Sequence, residues 1–208
     1  MRRLIGLTLT SVALLCGPTV AVAQTTADRI ERSLGLPATR EEGLEIRIWM
    51  RSIARVNEFY RLVKTETGVT AERYAIAEVI HADRFNNERE ARRETATSRR
   101  LLLKERCSGK IVETSDLMWC RITIRDGLWS VTFDDLLPNE LWKLPPQVRA
   151  TCGSNGVELA VLDGESVHID LIEPGRRHQI EYSNPDVCCK TVACAIVDHA
   201  RNVIRNIG

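Results

Sequence analysis

The chain has 208 residues and a formal net charge of +1, with 44% hydrophobic and 27% charged residues. This length and apolar content are typical of one packed globular domain and exclude a largely disordered chain. The near balance of basic and acidic residues excludes the positive surplus that nucleic-acid-binding domains need, so we expect no nucleic-acid partner.

The first predicted element is a secretory signal peptide over residues 1–23. Arg2 and Arg3 form a basic start, residues 4–15 form an apolar run, and residues 21–23 provide an Ala-Val-Ala cleavage site. The apolar run is shorter than the roughly 20 residues that a bilayer span needs, so the sequence predicts no transmembrane segment. We therefore expect a periplasmic or secreted protein.

A lipoprotein anchored through Cys16 is the alternative to ordinary cleavage. Lipoprotein processing needs a small residue before the cysteine, and Leu15 occupies that position, so cleavage after residue 23 is favoured. This cleavage removes two of the 29 basic residues and none of the 28 acidic ones. The mature chain, residues 24–208, is then close to neutral and is predicted to be a single domain.

Six cysteines follow the signal peptide, and an even number in an exported chain predicts a disulfide framework. They are Cys107, Cys120, Cys152, Cys188, Cys189 and Cys194. Cys107 and Cys120 flank a short polar stretch and are predicted to pair. Cys152 is expected to bond to Cys188 or Cys189, and Cys194 to the other of these two. The spacing is irregular for zinc and contains no C-x-x-C, so we predict no metal or redox site.

The first half of the mature chain predicts an antiparallel meander. Residues 24–43 are mixed and polar, which predicts a mobile lead-in or one short helix. Charged and apolar residues alternate over 44–51, as in a half-buried strand. A second strand is predicted over 58–64, and Gly68 marks the loop before a third, 69–80, although its alanines also fit a helix.

Residues 83–100 form a charged, solvated segment. Between Ala82 and Leu101, the only large apolar residue is Phe85. Basic and acidic residues are interspersed, which favours a solvated helix or loop over a basic docking surface for an acidic partner. The leucines at 101–103 are expected to return the chain to the core.

The second half predicts another meander after short helical pieces. Residues 118–124 alternate as a strand, and residues 129–144 predict short helices interrupted by Pro138. The pair Asp163-Gly164 separates two strand-like runs, and a second turn at 174–175 leads to a third run. We expect a three-stranded meander over residues 157–183.

An amphipathic helix is predicted over residues 191–207. Its inward residues are expected to be Val192, Ile196, Val203, Ile204 and Ile207, and its outward ones Lys190, Asp198, Arg201 and Arg205. The chain thus predicts an α+β fold of two antiparallel β-meander segments, intervening short helices and a C-terminal amphipathic helix, stapled by disulfides.

The C-terminal third resembles a group of uncharacterised exported bacterial proteins. The resemblance lies in the order of residues 142–145 (Trp-Lys-Leu-Pro), the turn at 163–164, residues 182–185 (Tyr-Ser-Asn-Pro) and the terminal helix. Because these are turns, a strand end and a helix, the resemblance implies the fold and no activity.

The candidate catalytic residues are His81, Asp83, His168 and His178. The first two share one side of an extended segment, where they could form a base with its orienting carboxylate or bind a metal, but no third partner is evident. The other two lie on neighbouring strands, where a cross-strand pair with each other or with Asp170 is geometrically allowed. No phosphate-binding or dinucleotide-binding motif occurs, so no cofactor is predicted.

Together these patterns predict an exported, non-catalytic binding or envelope-associated protein. Its partner would be a protein or a small ligand of the cell envelope, recognised by Trp49 and Tyr60 as exposed aromatic residues. The alternative is a small periplasmic hydrolase or metal-dependent enzyme that uses the histidine and carboxylate residues.

Overall fold

The computed structural model describes residues 28–52, 56–78, 97–107, 109–114, 117–124, 127, 129–149, 151–152, 157–158, 165–183 and 191–206. The predicted signal peptide, residues 1–23, and residues 83–96 therefore lie outside the described residues. The chain divides into two compact units, residues 1–36 and 37–208.

The described part of the first unit is one short helix, α1 (28–33), followed by a turn. Gly35 has a φ of 68°, the left-handed conformation that commonly ends a helix. The amide of Leu36 donates to the carbonyl of Glu31, which closes the turn. A short helix was one of the two forms expected of the lead-in.

The second unit is an α+β domain. Its described strands are β1 (Leu44–Ser52), β2 (Asn57–Thr65), β3 (Gly68–Glu78), β4 (Val112–Glu113), β5 (Leu117–Ile122), β6 (Gln147–Arg149), β7 (Thr151–Cys152), β8 (Val157–Glu158), β9 (Glu165–Glu173) and β10 (Arg176–Ser183). Its described helices are α2 (97–104), α3 (Trp129–Asp135), α4 (Pro138–Leu141) and α5 (Val192–Arg205).

Eight of these strands form one sheet in the order β4-β5-β3-β2-β1-β9-β10-β6. The first seven are antiparallel, and β6 joins the edge parallel to β10. The two predicted meanders therefore share a sheet, and they meet where β1 pairs with β9. Gly43 precedes β1 with a φ of 73°, and a Cβ there would lie 2.3 Å from the carbonyl oxygen of Lys64, so only glycine permits this approach.

One part of the predicted second meander is wrong. Residues 157–158 were expected to begin a hairpin with the strand now seen as β9. Instead, β8 pairs with β7 in a separate two-stranded sheet. Both edges of β9 are already paired, with β1 and with β10, so no third strand can join it. The turn pair Asp163-Gly164 lies outside the described residues.

The main core lies between one face of the sheet and the helices α3, α4 and α5. We call this face the helix face; Ile46, Ile48 and Ile169 belong to it and are fully buried. Residues on the other face, here called the polar face, alternate with them along each strand. The strand β1 was expected to be half-buried, but all of residues 45–50 are buried, so both faces are covered there.

The predicted orientation of the last helix is wrong in its details. Val192, expected inside, is 79% exposed, whereas Arg201, expected in water, is 5% exposed. The buried residues of α5 are Cys194, Val197, Ala200, Arg201 and Ile204. Arg201 lies within this stripe at helical spacing, and its guanidinium contacts Asp198 at 2.7 Å, one turn earlier. The position of a residue on the helix, rather than its type, decides whether it is buried.

The predicted pairing of Cys107 with Cys120 is confirmed. The bond connects the end of α2 to β5. Cys120 belongs to a second, smaller core cluster that includes Leu103 and Met118, and Cys107 packs against this cluster. Cys194 is also disulfide-bonded, and its sulfur accepts a hydrogen bond from the Tyr182 hydroxyl. The pairings predicted for Cys152, Cys188 and Cys189 concern side chains outside the described part and stay predictions.

We expect the double variant Cys107→Ser/Cys120→Ser to lose on the order of 3 kcal/mol of unfolding free energy, because opening a loop of this length enlarges the unfolded ensemble. The two residues are 13 positions apart. Urea unfolding of the variant measures this, and it avoids a reductant that would also open the disulfide of Cys194. An unchanged urea midpoint would contradict a stabilising role for the bond.

None of the described helices has the combined length and apolar character that a bilayer crossing requires. The internal disulfide is compatible with an oxidising compartment such as the periplasm or the cell exterior.

Candidate functional site

The polar face carries a row of charged and amide side chains that crosses five strands. In register, Gln179 (β10) lies opposite Asp170 (β9), Asp170 opposite Arg47 (β1), Arg47 opposite Arg61 (β2) and Arg61 opposite Glu72 (β3). Cross-strand neighbours on one face are about 5 Å apart, close enough for ion pairing. The row therefore brings charged side chains of the two meanders next to one another on this face.

Glu45, two positions before Arg47 on β1, is the centre of a network of charged contacts on this face. Its side chain is fully buried, and its oxygens accept hydrogen bonds from Arg40, Arg47 and Arg61, each at 2.7 Å. Arg61 also donates to Glu72 at 2.9 Å. Burial by itself would raise the pKa of Glu45, but the hydrogen bonds from Arg61 and Arg47 outweigh it and lower the pKa to about 2. Glu45 is therefore ionised throughout the physiological pH range.

A second charged cluster lies around Glu58 on the helix face. Glu58 accepts hydrogen bonds from the Tyr60 hydroxyl at 2.6 Å, from Arg106 at 2.6 Å and from Arg73 at 3.1 Å. The Arg73 guanidinium also lies 5.2 Å from the centre of the Tyr60 ring. Burial would raise the pKa of Glu58, but Tyr60 and the two arginines lower it. Burial, and then the carboxylate of Glu58, raise the pKa of Tyr60.

Acid should therefore destabilise the protein below about pH 4.5, the ordinary pKa of a glutamate. The folded-state pKa of Glu45 is lowered, so its contribution is present above the unfolded-state pKa and is lost as the pH falls towards about 2. The loss from Glu45 is on the order of 3 kcal/mol, and Glu58 acts in the same direction. Urea midpoints measured between neutral pH and pH 2 test this; a flat profile would contradict it.

The expected exposure of Trp49 and Tyr60 is wrong, because Trp49 is 5% and Tyr60 3% exposed. Trp49 lies in the middle of the sheet, between Phe59 on β2 and His168 on β9. Strand alternation assigned it to the polar face, but it could not show that this face is covered. Neither residue is available as a docking surface.

The structure separates the candidate histidines. His178 lies opposite Leu171 in register and therefore belongs to the helix face, whereas His168 lies on the polar face. The His178 ring stacks on Trp142, with the ring centres 5.7 Å apart, and the Nε2 of His178 donates to the carbonyl of Leu144 at 2.9 Å. The two histidines therefore do not form the cross-strand pair considered from the sequence.

His168 instead lies beside a carboxylate of its own strand. Its Nε2 is 3.4 Å from Oδ1 of Asp170, and the Asp170 side chain is 1% exposed. Arg177 forms an ion pair with the same carboxylate at 2.5 Å. His81 and Asp83 lie outside the described residues. Within the described ranges, no group of three or more metal-ligating side chains is close enough to hold an ion.

An open cleft of about 490 Å³ lies beside the end of β5. Residues 121–124 line it together with Ala71, Gly109 and Trp129. Its volume lies within the range of small-ligand sites, and its lining combines apolar residues with the polar residues Arg121 and Thr123, as such sites do. The chain pattern drew attention to neither Trp129 nor this cleft, because its lining comes from four separate segments.

The sequence also missed Glu45 and Asp170 as buried network centres. Their alternation with apolar residues indicated a solvated face. The feature that identifies Asp170 is the strand register, which places it opposite Arg47. A local sequence pattern does not show this register, because the two strands are far apart in the chain.

Comparison of the chain with known protein families, with curated proteins and with solved structures gives no match.

Proposed function

We propose that this is an exported, non-catalytic binding protein of the cell envelope, and that its ligand occupies the cleft at the end of β5. The cleft is the observation that carries the proposal. It is lined by the apolar residues Ile122, Ile124 and Trp129 together with the polar residues Arg121 and Thr123. Export is supported by the signal-peptide pattern of residues 1–23 and by the internal disulfide.

The surroundings of the cleft favour binding over covalent chemistry. The disulfide between Cys107 and Cys120 constrains the segment that contributes Gly109. A site that is rigid before binding loses less conformational entropy when the ligand enters. No histidine or cysteine with a free thiol lines the cleft within the described residues.

Blocking the cleft tests the proposal. A Cβ at Gly109 would meet no atom within 4 Å, so Gly109→Trp can extend into the cleft without displacing the backbone. The purified mature protein is incubated with periplasmic small-molecule extract, and retained compounds are identified by mass spectrometry. We expect the parent to retain a compound that Gly109→Trp loses by about tenfold or more, as expected when a ligand is sterically excluded.

Asn139→Trp, at an exposed position of α4, is the matched control and should retain as much compound as the parent. Equal retention by all three proteins, or retention by none, would contradict ligand binding in the cleft.

A second candidate function is a small hydrolase based on His168, which the contact with Asp170 favours. A carboxylate at 3.4 Å can orient an imidazole that acts as a general base. Esterase, phosphatase, peptidase and glycosidase assays test it, with His168→Asn as the variant. His199→Asn is the control, because His199 is exposed and its ring contacts a main-chain carbonyl at Asp135. Turnover that His168→Asn abolishes and His199→Asn leaves intact would support the hydrolase and contradict the proposal of a non-catalytic binding protein.

A further inference from the structure

We propose that the surface formed by residues 97–107 and 109–114, here called the basic leucine surface, docks onto an anionic phospholipid bilayer. This inference rests on the proposed function, since it names the envelope component that an exported protein would contact. It concerns a surface that the cleft does not use, apart from Gly109, which borders both.

The basic leucine surface concentrates positive charge. Residues 97–114 contain five basic and two acidic residues, a net charge of +3 in a chain whose net charge is +1. Arg100 and Arg106 form ion pairs with Glu113 and Glu58. No acidic side chain of the described ranges pairs with the remaining three basic residues, which are Arg99, Lys104 and Lys110. Their charge is therefore available to an anionic partner.

Two exposed leucines accompany these charges. The sequence led us to expect leucines 101–103 in the core, and only Leu103 is buried there. Leu101 is 57% and Leu102 is 40% exposed. They are the one pair of adjacent large apolar residues that are exposed in the described part of the chain. Neighbouring apolar side chains among cations are the composition of helices that lie in a membrane interface.

The combination of these cations and the exposed leucines favours a bilayer over an acidic protein as the partner of this surface. Basic residues near an anionic surface attract it electrostatically, and leucines gain free energy by entering the boundary between headgroups and acyl chains. An acidic protein surface would use the charges but would offer no comparable apolar layer to both leucines. The disulfide of Cys107 connects the end of α2 to β5, which presents the leucines and lysines on one rigid body.

Vesicle co-sedimentation of the full mature protein tests this inference. We expect binding to vesicles of equal parts phosphatidylglycerol and phosphatidylcholine to exceed binding to pure phosphatidylcholine by about tenfold or more, and to weaken at high salt. Leu101→Ser/Leu102→Ser and Lys104→Glu/Lys110→Glu should each lower the partition coefficient about tenfold. All four positions are exposed, so both variants should melt as the parent does.

Val131→Ser and Lys143→Glu are the matched controls, because Val131 is 52% exposed and the Lys143 side chain 68% exposed elsewhere on the domain. Both should bind vesicles as the parent does. Equal binding to neutral vesicles would overturn the inference. Vesicle binding that depends on the lysines but not on the leucines would also overturn it, because such a purely electrostatic contact would fit an acidic macromolecule equally well.

The outcomes separate this inference from the proposed function. A protein that captures a ligand in the cleft but ignores anionic vesicles would overturn the bilayer inference alone. A protein whose signal peptide is not cleaved in the cell would fail the proposed function, whatever the vesicles show.

Discussion

Glu45→Gln is expected to lower the free energy of unfolding by about 3–5 kcal/mol, the usual cost of removing one partner from a buried ion pair. The Glu45 carboxylate is completely buried and accepts from three guanidinium groups. Glutamine keeps the shape but loses the charge and replaces one acceptor oxygen by an amide donor. The loss should fall most heavily on Arg47, because its side chain is 1% exposed and water cannot replace the Glu45 carboxylate there.

Urea unfolding at neutral pH measures this effect, and Glu140→Gln provides the control. Glu140 forms an ion pair with Lys143 at 2.7 Å, but its side chain is 46% exposed, so its loss should cost only about 0–1 kcal/mol. Glu45→Gln should also flatten the acid dependence of stability between pH 4.5 and 2, since the lowered pKa belongs to the carboxylate. Equal effects of the two substitutions would show that the network does not stabilise the sheet.

Ile204→Ala is expected to cost about 2–5 kcal/mol, because it removes buried methyl groups and leaves a cavity. Ile204 is fully buried in the core between α5 and the helix face of the sheet. Val192→Ala, at the first position of the same helix, should change stability by less than about 0.5 kcal/mol, because Val192 is 79% exposed.

Thermal and urea unfolding of both variants measure the difference. The comparison tests the orientation of α5 and not merely its presence, since an amphipathic reading of the sequence places both residues inside. If Val192→Ala were as costly as Ile204→Ala, the helix would be rotated from the orientation described.

Local patterns in the sequence determined several elements correctly. The alternation of residues 44–51 and 58–64, the glycine turns and the helical spacing of the C-terminal residues predict β1, β2, β3, β10 and α5. Side chains that share one face recur every two positions in a strand and every 3.6 positions in a helix. A repeat of this kind in the sequence therefore predicts the element directly. The pairing of Cys107 with Cys120 followed in the same way, because the two residues are only 13 positions apart.

Only the tertiary structure decided which residues lie opposite one another in the sheet. Asp170 meets Arg47 because β1 pairs with β9, more than a hundred positions along the chain, and no local period records that pairing. Glu45 and Trp49 are likewise buried on a face that alternation assigned to solvent. The cleft beside Trp129 is likewise assembled from separate segments. The physical reason is that a period specifies which side chains share a face, whereas burial and partnership depend on which distant residues come to cover that face.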